Sequence, residues 1–204
     1  MGFLKSSTLI GYKVVLREKQ LSDALNDYNW RVDEELAHLD AAAPLKMSYE
    51  AYLRMYQDEL RYPTPWSRRV AIDTFEGKQI GNCMYYDIDH IRGRAELGIL
   101  IGDREFWSQG YGTDAVDTLL NHIFLSTPMR VVYLHTLEWN IRAQKSFAKS
   151  GFLPIKSIRR NGLEFLLMEI RRKDWQTVHE SKIVDSDRVS GVEGILNKNH
   201  NPDS

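Results

Sequence analysis

The sequence predicts a mixed α/β (α+β) fold, and three observations carry that expectation. Strand-like and helix-like patterns alternate through residues 95–152, two hairpin signals flank that stretch, and the apolar fraction is large enough for a core. The chain has 204 residues, 43% of them apolar, which suits one domain of ordinary size.

Taken in order, residues 12–17 read as a first strand. Leu21, Ala24, Leu25 and Tyr28 recur at helical spacing, with Ser22 and Asp23 near the start of that helix. Ser48 is placed to cap a second helix whose buried face would be Tyr49, Tyr52, Leu53, Tyr56 and Leu60. Residues 69–75 and 79–87, joined through Glu76, Gly77 and Lys78, read as a β-hairpin. In the next strand, 95–101, Glu96, Gly98 and Leu100 share one face, and Leu97, Ile99 and Ile101 the other. Val116, Leu119, Leu120 and Ile123 mark one side of a helix, and residues 131–137 form a strand rich in β-branched residues. Asn140 stands at a helix N-cap and Gly151 at the helix end. Between them Ala143 and Phe147 form a short apolar stripe beside Arg142, Lys145 and Lys149. Residues 152–158 and 165–170, turning at Asn161-Gly162, read as a second hairpin.

The segment Trp107-Ser108-Gln109-Gly110-Tyr111-Gly112-Thr113 links a strand to a helix. Two glycines one residue apart permit conformations closed to other residues and let a ligand come close to the main chain. The first N–H groups of the following helix lack partners within it and sit at its positive end, so a pyrophosphate could be received there. Asp114 in the first turn suits the helix dipole but opposes an anion nearby. Alone, such a turn does no more than redirect the chain. It is not the lysine-bearing P-loop, and Ala115 stands where a dinucleotide fingerprint needs a third glycine.

The order of these parts resembles the GCN5-related N-acetyltransferases (GNAT), in their ribosomal-protein and spermidine acetyltransferase-like branch, over residues 8–173. Ala95-Glu96-Leu97-Gly98-Ile99 is similar to that family's fourth strand. Trp107 to Gly112 resembles its pyrophosphate loop, whose general form is Gln/Arg-x-x-Gly-x-Gly/Ala. Asn140-x-x-Ala143 opens the family's fourth helix and Lys149-Ser150-Gly151-Phe152 closes it. The resemblance implies a mixed, mostly antiparallel sheet of about six or seven strands flanked by about four helices. It also implies acetyl-CoA as co-substrate and no metal. The backbone of Ile99, Leu100 and Ile101 would pair with the pantetheine arm. Main-chain N–H groups of Trp107, Ser108, Gln109, Gly110, Tyr111, Gly112 and Thr113 would hold the pyrophosphate. Asn140 would reach the pantetheine and Phe147 would line the channel near the thioester. The loop's first position, usually Gln or Arg, is Trp107. Many members carry Tyr at the position of Phe147, where it protonates the departing thiolate; phenylalanine cannot. A free thiol has a pKa of roughly 8.5, so that proton can come from water.

Acetyl transfer to an amine needs a neutral nitrogen, a positioned thioester and stabilisation of an oxyanion. Glu96 occupies the position that removes a proton in many relatives; the equal alternative is a structural pairing with Arg92 or Arg94. His135, on the neighbouring strand, reads as a satisfied core histidine. The backbone from Gly98 to Ile101 offers donors for the thioester carbonyl. The expected function is therefore direct attack by a primary amine in a ternary complex. The acceptor would be a small-molecule amine or a protein N-terminus. The alternative is a non-catalytic acyl-CoA-binding module, suggested by Phe147.

In this family the first two helices border the acceptor pocket, which brings Tyr52 and Tyr56 into consideration. The acidic run Asp33, Glu34, Glu35 and Asp40 reads as a solvated face rather than a cation site. A formal net charge of −1 gives no general attraction to nucleic acid or membrane. No run approaches the ~20 apolar residues of a membrane span. The N-terminus lacks the apolar run of a secretory signal. The single cysteine, Cys83, cannot form an internal disulfide, which fits the cytoplasm, and no Cys/His cluster suggests zinc. Residues 176–204 contain no Phe, Tyr or Trp and read as a polar tail, mobile or docked on a second subunit, which leaves a homodimer open.

Overall fold

The computed structural model describes residues 8–177. The expected tail, 176–204, therefore lies almost entirely outside the described residues. Eight strands form one mixed sheet, one or two more than expected: β1 (Leu9–Ile10), β2 (Val14–Glu18), β3 (Arg68–Thr74), β4 (Gln79–Asp89), β5 (Arg94–Ile101), β6 (Val131–Leu137), β7 (Leu153–Arg160) and β8 (Leu163–Arg171). They run in the order β1-β2-β3-β4-β5-β6-β8-β7. Among the described residues β5/β6 is the one parallel strand pair. The helices are α1 (Ala24–Val32), α2 (Glu34–Leu39), α3 (Tyr49–Arg61), α4 (Tyr111–Ser126) and α5 (Ile141–Lys149). None is long and apolar enough to cross a membrane.

The main core lies between the sheet and α4. Val116, Leu119, Leu120, Ile123 and Phe124 of α4 are essentially inaccessible and pack on Leu16, Ile72, Ala95, Leu97, Val132 and Leu134. Fully burying one such side chain stabilises the fold by about 1.5–3 kcal/mol. Trp175, past the last strand, joins this core against Phe124 at a ring separation of 5.4 Å.

On the opposite face, α1 and α3 cover β2, β3 and β4 through Tyr52, Tyr56 and Ala24. Here two expectations change. Leu21 and Leu25 are exposed; Ala24 is buried as expected, and Asp27 turns inward beside it. Leu60 is also exposed. The inward face is polar because β2 to β4 meet it with polar groups. Arg17 bonds Asp23 and Asp73, Lys19 pairs with Asp27 at 2.7 Å, and Asn82 donates to Asp27 at 2.9 Å. The pairing of charge with charge lets an acid replace leucine on a buried helix face.

Local signals read from the sequence recur as geometry. Ser48 accepts from the Ala51 N–H and caps α3. Asn161 and Gly162 both have positive φ, 49° and 81°, as a two-residue turn between β7 and β8 requires. The predicted first strand is displaced: Tyr12 and Lys13 form the turn between β1 and β2.

Candidate active site

The parallel pair β5/β6 is bonded only from Arg94↔Val131 to Glu96↔Tyr133. Beyond Glu96 the two strands part. On its other side β5 stays bonded to β4 as far as Ile101. One edge of the strand is therefore open from residue 97 onward, and its backbone groups need partners from outside the sheet.

A cleft of about 330 Å³ opens along this edge. Ile99, Leu100 and Ile101 line one wall, Trp107, Ser108, Gly110, Gly112 and Thr113 the end, and Asn140, Arg142, Ala143 and Phe147 the facing wall. Ten of the twelve residues expected to contact the cofactor therefore border one cavity. Gln109 and Tyr111 do not line it. The Gln109 side chain donates to the Glu105 carbonyl, and the Tyr111 ring packs edge-on against Phe106 at 5.0 Å. Leu36 and Leu39 of α2 and Phe106 also line the cleft. These three carried no sequence signal, because nothing local says that α2 folds over this edge.

The helix ends differ in a telling way. Side chains of Asp33, Ser48 and Asn140 cap α2, α3 and α5. The N-cap of α4 is Gly110, with φ 87°, and no side chain caps it. Its first intrahelical bond runs from the Asp114 N–H to the Gly110 carbonyl. The N–H groups ahead of that bond, including those of the cleft residues Gly112 and Thr113, are available to an anion. Asp114 does not oppose one. Its carboxylate is turned away and accepts from the N–H groups of Tyr12, Lys13 and Val14 at 3.0, 2.7 and 3.1 Å. Lys145 and Lys149 add positive charge at the cleft, and the Arg142 guanidinium lies 3.8 Å from the centre of the Trp107 ring. The Trp107 indole N–H donates to the Ile101 carbonyl at 2.7 Å, which fixes the loop to the end of β5.

Glu96 is buried and does not pair with Arg92 or Arg94. Its Oε1 lies 2.7 Å from His135 Nδ1, while Arg92 bonds Asp89 and Arg94 pairs with Glu169. Arg160 Nη2 lies 3.1 Å from the other histidine nitrogen, Nε2. His135 is thus largely buried with a partner at each ring nitrogen, as expected of a satisfied histidine, and its partners are charged. Burial first, and then the nearby Glu96 carboxylate, pushes the phenols of Tyr86 and Tyr133 up. The acidic residues around α2 are solvent-facing, as expected, and in part engaged: Arg104 bonds Asp33 and Glu35 at 2.8–2.9 Å. Tyr52 and Tyr56 are buried in the second core and line no part of the cleft.

The arrangement joins an open strand edge, an uncapped helix and a basic wall. That combination can hold an extended ligand with a phosphate-bearing end. Comparison with known proteins agrees with it. The family model for the acetyltransferase (GNAT) domain matches residues 13–153. A Bacillus licheniformis protein, "Uncharacterized N-acetyltransferase p20", is 27% identical over 153 residues, covering 72% of this chain and 85% of that protein. Among solved structures, spermidine N-acetyltransferase from Vibrio cholerae, in complex with CoA and spermine, has a TM-score of 0.71 at 18% identity and covers 80% of this chain and 98% of its own. Mycobacterium smegmatis RimJ in complex with CoA-disulfide has a TM-score of 0.69 at 17% identity, covering 83% and 90%. These two structures share the fold. With a family match that spans well over half of its length, the chain belongs to the GNAT acetyltransferases, enzymes that transfer an acyl group from acyl-CoA to an amine.

Proposed function

We propose that this protein transfers the acetyl group of acetyl-CoA to a primary amine by direct attack in a ternary complex. The observation that carries the reading is the unpaired edge of β5 beside an uncapped α4. In this reading the pantetheine arm bonds the backbone of Ile99, Leu100 and Ile101 like an added strand. The pyrophosphate sits on the N–H groups from Trp107 to Thr113, including those of Ser108, Gln109, Gly110, Tyr111 and Gly112. Asn140 Nδ2 donates to the arm, and Phe147 packs beside the thioester.

The bound CoA derivative supplies the activated acyl group. The protein's part is to hold it, exclude water and manage protons. Backbone donors near Gly98 polarise the thioester carbonyl. Glu96 belongs to the unit that accepts the amine's proton. Because Phe147 has no hydroxyl, the thiolate takes its proton from water. The acceptor we favour is a small polyamine-like amine, as the Vibrio cholerae structure holds spermine with CoA.

CoA release, read by thiol titration against spermidine, an aminoglycoside and peptides with varied N-termini, tests the proposal. Background from the protein is low, since Cys83 is 1% exposed and burial pushes its thiol up. Release with a polyamine supports the reading. Release with peptides alone would move the acceptor to protein N-termini. Acetyl-CoA binding with no release from any amine would overturn it.

A further inference from the structure

Glu96 and His135 face each other at the point where β5 and β6 separate, the last paired residue of β5 being Glu96 itself. Ile99, three residues further along the same strand, lines the cofactor cleft together with Phe147.

The hydrogen bonds assign the histidine's tautomer. A guanidinium only donates, so His135 Nε2, 3.1 Å from Arg160 Nη2, must offer its lone pair. Nδ1 then carries the hydrogen and donates it to Glu96 Oε1 at 2.7 Å. A carboxylate on Nδ1–H with a lone pair held on Nε2 is the arrangement that prepares an imidazole to accept a proton. The cation that Nε2 meets in this structure belongs to the exposed Arg160, near the turn between β7 and β8. An ammonium group offers the same N–H donor and the same charge.

We propose that His135 Nε2, not Glu96, accepts the amine's proton, that Glu96 is a positioning residue, and that Arg160 occupies the ammonium's place until substrate displaces it. This rests on the acetyltransferase reading above. The ammonium gives one proton to Nε2, which frees the nitrogen lone pair. That pair forms the C–N bond at the thioester carbonyl, and the C–S bond breaks with its electrons going to sulfur. A second proton leaves nitrogen and reaches the thiolate through water, and the imidazolium returns its proton to solvent. The groups around His135 are Glu96 from β5, Arg160 from β7 and Tyr133 from β6, whose ring lies 5.8 Å away. Tyr86 on β4 stands beyond Glu96, and Arg94 and Glu169 beyond Tyr133. Leu167 of β8 pairs opposite.

The test measures CoA release against pH, with spermidine as acceptor, in the wild type, His135→Gln and Glu96→Gln, with acetyl-CoA affinity measured by calorimetry for each. Glutamine keeps an N–H for Glu96 but has no nitrogen that titrates. His135→Gln should lose the acidic limb of the kcat/KM profile, and kcat should fall about 100-fold or more at unchanged acetyl-CoA affinity. Glu96→Gln should keep the limb at a lower plateau. His135→Ala should regain rate when imidazole is added, which a purely structural role would not allow. Arg160→Ala should lower KM for the amine, a change that an arginine outside the amine's place would not produce. A profile unchanged in His135→Gln, with the limb lost in Glu96→Gln, would overturn the assignment while leaving the acetyltransferase reading intact. No CoA release by the wild type would overturn both.

Discussion

Two polar regions of this molecule make opposite use of similar groups. Beneath α1, the side chains of Lys19, Asp23 and Asp27 are at most 5% exposed and are bound to one another and to Arg17, Gln79 and Asn82, with Asp73 joined through Arg17. In the cleft, β5 has no strand partner on one side beyond Glu96, where the Trp107 indole bonds only its end at Ile101, and no side chain caps the α4 N-terminus. The charged cluster pairs its cations with carboxylates, leaving Asp73 Oδ1 without a partner, and holds elements together. The cleft is left incomplete and asks for a ligand. Density of charge is thus a poor guide to the site here, and an unpaired strand edge beside an uncapped helix is a better one.

The largest effect should come from breaking the charged region. Lys19→Met leaves Asp27 buried without its ion pair and should cost about 3–5 kcal/mol in urea denaturation. A loss below about 1 kcal/mol would mean that the cluster is wet and loosely held. The cleft should show the converse. A Cβ at Gly112 would meet only Ile101 at 3.6 Å, an ordinary contact, so the fold tolerates a side chain there. Gly112→Leu should keep its melting temperature within a few degrees while acetyl-CoA affinity falls about 100-fold, a difference of about 2.7 kcal/mol in binding. Unchanged affinity would sink the loop assignment.

Asn140 belongs to both regimes, since its Oδ1 caps α5 while the residue lines the cleft. Asn140→Asp keeps the capping oxygen and should preserve stability, yet weaken acetyl-CoA binding measured by calorimetry. Asn140→Ala should add a stability loss of about 1 kcal/mol. Equal effects of the two changes on both readouts would show that the roles are not separable. The smallest effect is in the pH dependence of the charged cluster. Burial opposes the charge on Asp23, but its bonds from Arg17 and the Gln20 N–H prevail and hold the carboxyl below the usual range. A folded value below the unfolded one gives stability that is full above the ordinary carboxylate pKa of about 3.9 and is lost as pH falls through the folded value. Urea midpoints between pH 5 and pH 3 should therefore fall less steeply in Asp23→Asn than in the wild type.

Most of the cofactor side was legible before the structure, because each of its parts is a local device. Gly110 takes a left-handed conformation, Asn140 caps the residue three ahead, and Val116, Leu119, Leu120 and Ile123 repeat with the helical period. The first helix misled because Leu21 and Leu25 satisfy the same period as a buried face, and only the polar groups of β2 to β4 decide which face turns inward. Asp114 misled for a similar reason: its partners, Tyr12 to Val14, lie some hundred residues away.

The sequence by itself determined the fold class, the turns, the helix caps and the glycine loop, since these depend on backbone freedom and spacing within a few residues. Tertiary structure alone decided where β5 leaves β6, that α2 closes the cleft, and that Glu96 meets His135 across 39 positions. Strand pairing sets those contacts, and pairing partners are chosen by the burial of whole faces of the sheet rather than by the residues that end up side by side.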